Sequence, residues 1–374
     1  MKDQDRNDRE SLEEIQAETT VSKNQTEQKQ HKRRVRYKGT HPRSYQEKYK
    51  ELQPEKYPET IEKVIQKGGT PVGMHISICV KEILDFLQIQ PGQKGLDATL
   101  GYGGHTKEML KCLQGQGHLY ALDVDPIESV KTKERLEKAG YGEEILTIRQ
   151  MNFADIDQIA REAGPFDFVL ADLGVSSMQI DNPERGFTYK KEGPLDLRLN
   201  PQKGVSAAER LKEVTEEELA GMLWENSDEP YAEEIAATVM EKLRKGEPVE
   251  TTIQLQKAIE EALSFLPERE QKEAVKKSCQ RTFQALRIDV NSEFEVLYAF
   301  MEKLPAALAP GGRGAILTFH SGEDRIVKKA FKELKRAGIY SEIAQDVIRP
   351  SAEECTRNSR ARSTKMRWAV RAKE

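Results

Sequence analysis

Between Met74 and Asp172, short apolar runs alternate with amphipathic helical stretches, and this alternation constrains the fold more than any other feature of the chain. Ile78 to Leu87 has helical apolar spacing. Lys94 to Leu100 is a short apolar run that ends in a glycine-rich turn. A helix over Thr106 to Leu113 follows, then a strand over Gly117 to Asp123, a helix over Pro126 to Ala139 and a run around Ile145 to Arg149. A further helix leads to the strand Phe166 to Asp172. Strands separated by helices predict an α/β fold with a mainly parallel, Rossmann-like sheet. The alternation stops between Ala207 and Leu304, where nearly every segment reads as helix. It resumes at Arg313 to Phe319, introduced by a turn at Pro310-Gly311-Gly312. The expected organisation is a sheet domain over 71–206 and 305–374, interrupted by a helical subdomain over 207–304. Clefts between such parts are common ligand sites.

Residues 1–70 read as a polar extension. Residues 1–30 carry little apolar beyond Leu12, Ile15, Ala17 and Val21, the composition of a disordered arm. A basic cluster, His31 to Lys38, follows, then a Tyr- and Lys-rich stretch whose last part predicts a short helix. Charged residues reach 33% against 37% hydrophobic, with a net charge of −4, so a nucleic-acid partner would have to meet local basic patches. Two are present: the His31–Lys38 cluster and the tail from Arg357 to Lys373. No apolar run is long enough for a membrane helix, and no apolar stretch follows the charged N-terminus as in a secretory signal. The four cysteines lie far apart with no zinc spacing, which fits a reduced, cytoplasmic chain without a metal site.

The glycine turn Gly101-Tyr102-Gly103-Gly104-His105 follows a strand and opens a helix, where backbone amides can approach a ligand closely. It is not GxGxxG, so the dinucleotide fingerprint fails, and taken alone it is equally a structural turn. Asp123 ends the second strand, where an acid suits the ribose hydroxyls of a nucleoside cofactor. Asp125, before Pro126, suits a helix cap. Phe153 follows the third strand and either packs on an adenine face or fills the core. Asp172 ends the fourth strand, where a methyl donor and its acceptor would meet. Asp172-Leu-Gly-Val is not the Asp/Asn-Pro-Pro-Tyr/Phe box of many amino-methyltransferases, so spacing leaves the acceptor atom open.

Longer motifs run through the same region: Thr99-Leu-Gly-Tyr-Gly-Gly-His-Thr106, Asp172-Leu-Gly-Val-Ser-Ser177, Glu184-Arg-Gly-Phe-Thr-Tyr189 and Gly193-Pro-Leu-Asp-Leu-Arg198. With them stand Arg281-Thr-Phe-Gln-Ala-Leu-Arg-Ile288, Phe319-His-Ser-Gly-Glu-Asp-Arg-Ile-Val327 and Arg360-Ala-Arg-Ser363. On these motifs the chain, from about Met74 to Arg371, closely resembles the MraW/RsmH family of 16S ribosomal RNA (cytosine-N4)-methyltransferases. The resemblance implies a class I methyltransferase sheet and S-adenosyl-L-methionine as cofactor. It implies cofactor contacts at Gly103, Gly104, His105, Asp123, Phe153, Asp172 and Gln179. The partner it implies is 16S rRNA of the small ribosomal subunit, and the substrate a cytosine of the decoding centre (P-site).

Four departures stand out. Gly322 replaces Leu in the family's His-Ser-Leu-Glu-Asp, and Lys277-Ser278-Cys279-Gln280 replaces His-Pro-Ala-Thr. Met178 and Ser359 each replace a Pro. These changes, with the N-terminal extension, suggest a second, diverged copy altered on its RNA-facing side.

The exocyclic amine of cytosine is a poor nucleophile, so a productive site aligns it and accepts its proton. Asp172 is the expected acceptor; the alternative is that it only orients the cofactor. Arg185, Phe187 and Tyr189 either stack on a splayed-out base or anchor their loop in the core. Asp196 and Arg198 are placed to pair. His320 either touches the site or precedes a helix capped by Ser321 and Asp324. Arg357, Arg360, Arg362, Lys365, Arg367 and Arg371 either contact phosphates or decorate a solvated edge strand. The arm Lys32 to Lys38 reads as ribosome-binding by analogy with other basic tails.

Overall fold

The computed structural model describes residues 77–373. The basic cluster, the short helix expected before Gly68 and the rest of the extension lie outside them.

Seven strands form one sheet in the order β3-β2-β1-β4-β5-β7-β6. They are β1 (Lys94–Asp97), β2 (His118–Asp123), β3 (Leu146–Gln150), β4 (Phe166–Asp172), β5 (Leu308–Thr318), β6 (Tyr340–Ile343) and β7 (Lys365–Arg371). The first five run parallel, while β7 is antiparallel to both β5 and β6. The order reverses between β1 and β4, and ligands of such sheets bind outside the carboxyl ends at that reversal. β4 sits at the centre with Phe166 and Phe168 to Ala171 buried, the unbroken apolar run of a strand covered on both faces. One face carries α1 (Val80–Leu87) and α2 (Gly104–Leu113); the other carries α4 (Ile156–Ala163). Between them in sequence, α3 (Pro126–Lys138) links β2 to β3.

After β4 come the short α5 (Ser177–Asp181) and a long loop. The helical run follows: α6 (Ala207–Glu213), α7 (Glu216–Ser227), α8 (Ala232–Arg244), α9 (Thr252–Ala262), α10 (Glu268–Val290) and α11 (Glu293–Ala307). Packing divides this run inside the segment 207–304. Leu195, Leu197 and the apolar faces of α6 to α10 close a separate core that includes Leu223, Ile235, Leu255 and Leu286. Leu297, Phe300, Met301 and Leu304 of α11 instead join the sheet core with Val169 and Ile316. The helical stretch that the sequence runs on to Leu304 therefore ends in two helices, α10 and α11, that serve different cores. The break lies at Asn291-Ser292, and Ser292 adopts a left-handed φ of 48°.

Two further expectations change. The turn read at Pro310–Gly312 is a bulge inside β5, where Leu308 pairs with Phe166 and Arg313 with Phe168. The strand Lys365–Arg371 is formed, but it is not an edge, and Met366, Arg367 and Ala369 are all buried in it. It lies between β5 and β6, and α12 (Ser321–Arg336) covers it through Asp324, which holds Arg367 at 2.7 Å and Lys365 at 3.0 Å. Two more pieces, α13 (Ala352–Arg357) and a 3-10 turn over Ser359–Ser363, precede β7.

Candidate active site

A cavity of about 360 Å³ opens over the carboxyl ends of β1, β2 and β4, within the range of roughly 300–1,000 Å³ usual for small-molecule sites. All seven candidate residues, Gly103, Gly104, His105, Asp123, Phe153, Asp172 and Gln179, line it.

The glycine loop is built for close approach. Gly103 has φ 81°, and a Cβ there would stand 2.7 Å from the Thr132 methyl, so a side chain meets both strain and collision. Gly103 is also the N-cap of α2 and supplies no side-chain cap. The first-turn amides are thus available to an anion such as a cofactor carboxylate. From below, Asp97 fixes the loop: it accepts from the Thr106 hydroxyl at 2.6 Å and from the Thr99 amide at 3.1 Å. From the side, the Thr132 hydroxyl donates to the Gly101 carbonyl at 2.6 Å, and Arg135 stacks over the Tyr102 ring at 3.9 Å.

Asp123 accepts from the amides of Gly101 and Asp125, both at 2.8 Å. Burial pushes its pKa up to about 6 against those two hydrogen bonds. Asp125 caps α3 as expected, accepting from Ile127 and Glu128. It also takes Nη1 of Arg185 at 2.7 Å and Nε2 of Gln179 at 2.9 Å. Gln179 accepts in turn from the Ser176 amide. Both ends of its amide thus have protein partners, and Gln179 braces the cavity wall. Phe153 serves both readings at once: it lines the cavity and packs edge-on against Phe300 at 5.2 Å.

Asp172 is held at two points. Its amide donates to the Thr99 hydroxyl at 2.6 Å, and its Oδ2 lies 3.4 Å from Nδ1 of His105. Its Oδ1 is buried without a partner. His105 places its other nitrogen 2.9 Å from the Ile78 carbonyl. Burial works against a charged imidazole, but the hydrogen bond and charge of Asp172, with Ile78 and Asp97, outweigh it and push the pKa up to about 9. At neutral pH His105 is an imidazolium that donates from both nitrogens, which leaves Oδ1 of Asp172 still to satisfy. A buried acceptor without a donor is an open demand for a hydrogen bond. The uncapped helix, the ribose-side acid and this oxygen together fit S-adenosylmethionine.

Other expectations are redirected. Arg185, Phe187 and Tyr189 do not line the cavity. Arg185 is buried and donates through Nη2 to the carbonyls of Arg198 and Leu199, while Phe187 and Tyr189 pack into the helical core. Asp196 and Arg198 pair at 2.7 Å. The cap of α12 is His320 with Glu323, one residue earlier than the Ser321 and Asp324 expected, and His320 also lines the cavity. Ser278 and Cys279 are buried in the helical insertion, with Ser278 donating to Glu229 at 2.8 Å, so those two replaced positions face a core, while Lys277 and Gln280 of the same departure are exposed. Gly322 has a packing reason as well: a Cβ there would stand 2.6 Å from the Phe294 ring.

Thr99, Gln284, Arg287 and Leu199 were missed as site residues and line the cavity. The Arg281–Ile288 motif carries Gln284 and Arg287; Arg287 is clamped by both oxygens of Glu293 at 2.8 and 2.9 Å. Nothing in the sequence marks Asn291, whose side chain holds Leu199 at the cavity by accepting from its amide at 2.7 Å and donating to the Leu197 carbonyl at 2.8 Å.

The chain is 70% identical over 342 residues to "Ribosomal RNA small subunit methyltransferase H 1" of Lachnoclostridium phytofermentans, covering 91% of this chain and 93% of that protein. It is 65% identical over 340 residues to "Ribosomal RNA small subunit methyltransferase H 2" of Alkaliphilus metalliredigens, covering 91% and 97%. Among solved structures, an rRNA methylase from Streptococcus thermophilus aligns with a TM-score of 0.38 at 12% identity, over 80% of this chain and 99% of that one. The profile of the MraW methylase family matches residues 73–372, most of the chain. The chain therefore belongs to the MraW methylase family and is a methyltransferase that uses S-adenosylmethionine.

Proposed function

We propose that this enzyme methylates the exocyclic N4 of a decoding-centre cytosine in 16S rRNA of the small ribosomal subunit, in the cytoplasm. The names of its 65–70% identical relatives support a small-subunit rRNA target. One observation in the site carries the chemical reading: Asp172 keeps one buried oxygen unpaired while His105 occupies the other. The cofactor supplies an electrophilic methyl group on a sulfonium. As the amine lone pair forms the new N–C bond, the C–S pair leaves with sulfur, and Oδ1 of Asp172 takes the amine proton. His105, at 3.4 Å from Oδ2, holds Asp172 oriented for that step. The helical insertion, with Gln284 and Arg287 at the cavity, forms the wall against which the base is received.

The test is to incubate purified enzyme with small subunits from a strain deleted for every family copy, then digest the rRNA and measure N4-methylcytidine by mass spectrometry. The reading requires stoichiometric appearance at one decoding-centre cytosine. Methylation elsewhere, or none, would overturn it.

A further inference from the structure

The tail cations do not share one fate. Lys365 and Arg367 are committed to Asp324, Arg357 pairs with Glu353 at 2.5 Å, and Arg371 donates to the Ile339 carbonyl at 3.1 Å. Arg360 differs. It lines the cavity, its Nη2 is anchored on Asp181 of α5 at 3.0 Å, and its Nη1 is buried without a hydrogen-bond partner. Its backbone is fixed as well, since the Asn358 side chain accepts from the Arg360 amide at 3.1 Å. A positioned guanidinium with an unspent nitrogen calls for an acceptor from outside the protein. Its planar fork matches an oxyanion. The hydroxyl residues Ser176 and Ser363 line the same cavity.

Resting on the reading of the substrate as RNA, we infer that Arg360 binds a backbone phosphate of the RNA chain next to the methylated base. The cofactor's carboxylate is the other oxyanion available, and position argues against it. The uncapped start of α2 already offers amides to that carboxylate, and Asp123 and Phe153 hold the nucleoside end at β2 and β3. Arg360 lies on the far side of the strand reversal. Lys365 at the start of β7 is in register with Thr318 at the end of β5, and Asp181 follows β4. A phosphate contact there fixes the register of the strand without reading its sequence.

The test uses the full chain saturated with S-adenosylhomocysteine and two single-stranded RNA hexamers, one all uridine and one with a single cytidine. Binding is measured across a salt series for the unaltered chain, Arg360→Gln and Arg360→Lys. Arg360→Gln should weaken RNA binding about tenfold, the scale of one hydrogen bond to a charged group. It should also make the slope of log affinity against log salt shallower by about 0.7, as for one lost single-strand phosphate contact. Arg360→Lys should keep the slope, and S-adenosylhomocysteine affinity should stay within twofold. Unchanged RNA affinity and slope would overturn the inference, as would an equal loss of S-adenosylhomocysteine affinity or no salt-dependent RNA binding by the unaltered chain. Equal binding of the two hexamers, with the Arg360 effect intact, supports the phosphate subsite and counts against the cytosine reading alone.

Discussion

Asp125 and Arg185 form an ion pair at 2.7 Å that water barely reaches, with side chains 0% and 7% exposed. Through it the end of β2 at the cavity is tied to the loop that carries Leu199 over it. Arg185→Met would strand the Asp125 charge, and a broken buried pair costs about 3 kcal/mol or more. We expect the urea midpoint to fall accordingly, with the m-value unchanged. The double variant with Asp125→Asn should lose less than the sum of the two singles.

Asp172→Asn keeps the shape of the cavity but removes the proton acceptor. Single-turnover methylation should slow at least about 100-fold, the lower end for a general base. The affinity for S-adenosylhomocysteine should change far less. A wild-type single-turnover rate in Asp172→Ala would leave Asp172 with no part in the chemistry.

In the proposed ribose contact Asp123 accepts from both hydroxyls only when ionised, and burial pushes its pKa up to about 6. Calorimetric affinity for S-adenosylhomocysteine should be level above that value and fall by up to about tenfold for each pH unit below it. Without ligand the sign is opposite. A folded pKa raised above the ordinary carboxylate value favours the protonated folded chain, so this group's contribution to stability declines as pH rises from about 4 to about 6. Asp123→Asn should flatten both profiles.

His105 behaves as a raised base. The stability it contributes is fully present below its ordinary pKa of about 6.5 and is lost as pH rises through about 9. Denaturation between pH 6 and pH 10 should show that loss, and His105→Gln should remove most of the slope. If the slope survives unchanged in His105→Gln, the His105–Asp172 pair is not its source.

Gly322→Leu restores the family residue, yet its Cβ would meet the Phe294 ring at 2.6 Å. Overpacking of this kind costs about 1–3 kcal/mol. Phe294→Ala in the same chain should recover much of that loss, a coupling that thermal or urea unfolding of the four variants can measure.

The sheet and the strand-end residues were legible because each rests on a local pattern. Alternating apolar runs mark β1 to β4; Asp123 and Asp172 end their strands, and Gly103 and Phe153 lie in the turns just after theirs, where a parallel sheet gathers its ligand. What the pattern hid was long-range pairing. The sequence leaves Arg185 between stacking on a base and anchoring its loop, because its partner Asp125 stands 60 positions away. Gln179 reads as a ligand contact, and nothing local shows that its amide also meets the same carboxylate. The helical stretch gave no clue that α11 would desert its neighbours for the sheet, since an apolar helix face looks alike whichever core it fills. His320 was missed as a cap because histidine is an uncommon one.

The placement of β7 between β5 and β6 has a consequence for the making of the protein. Synthesis delivers Lys365–Arg371 after every other described strand, so a chain halted short of it has β5 but not its partner. Such a product presents a long, apolar, open strand, the kind of edge that recruits other chains. It also lacks the floor that seats Arg360. Premature stops near the end of the reading frame should therefore yield insoluble, inactive protein, and a fusion or tag that strains this strand should do the same.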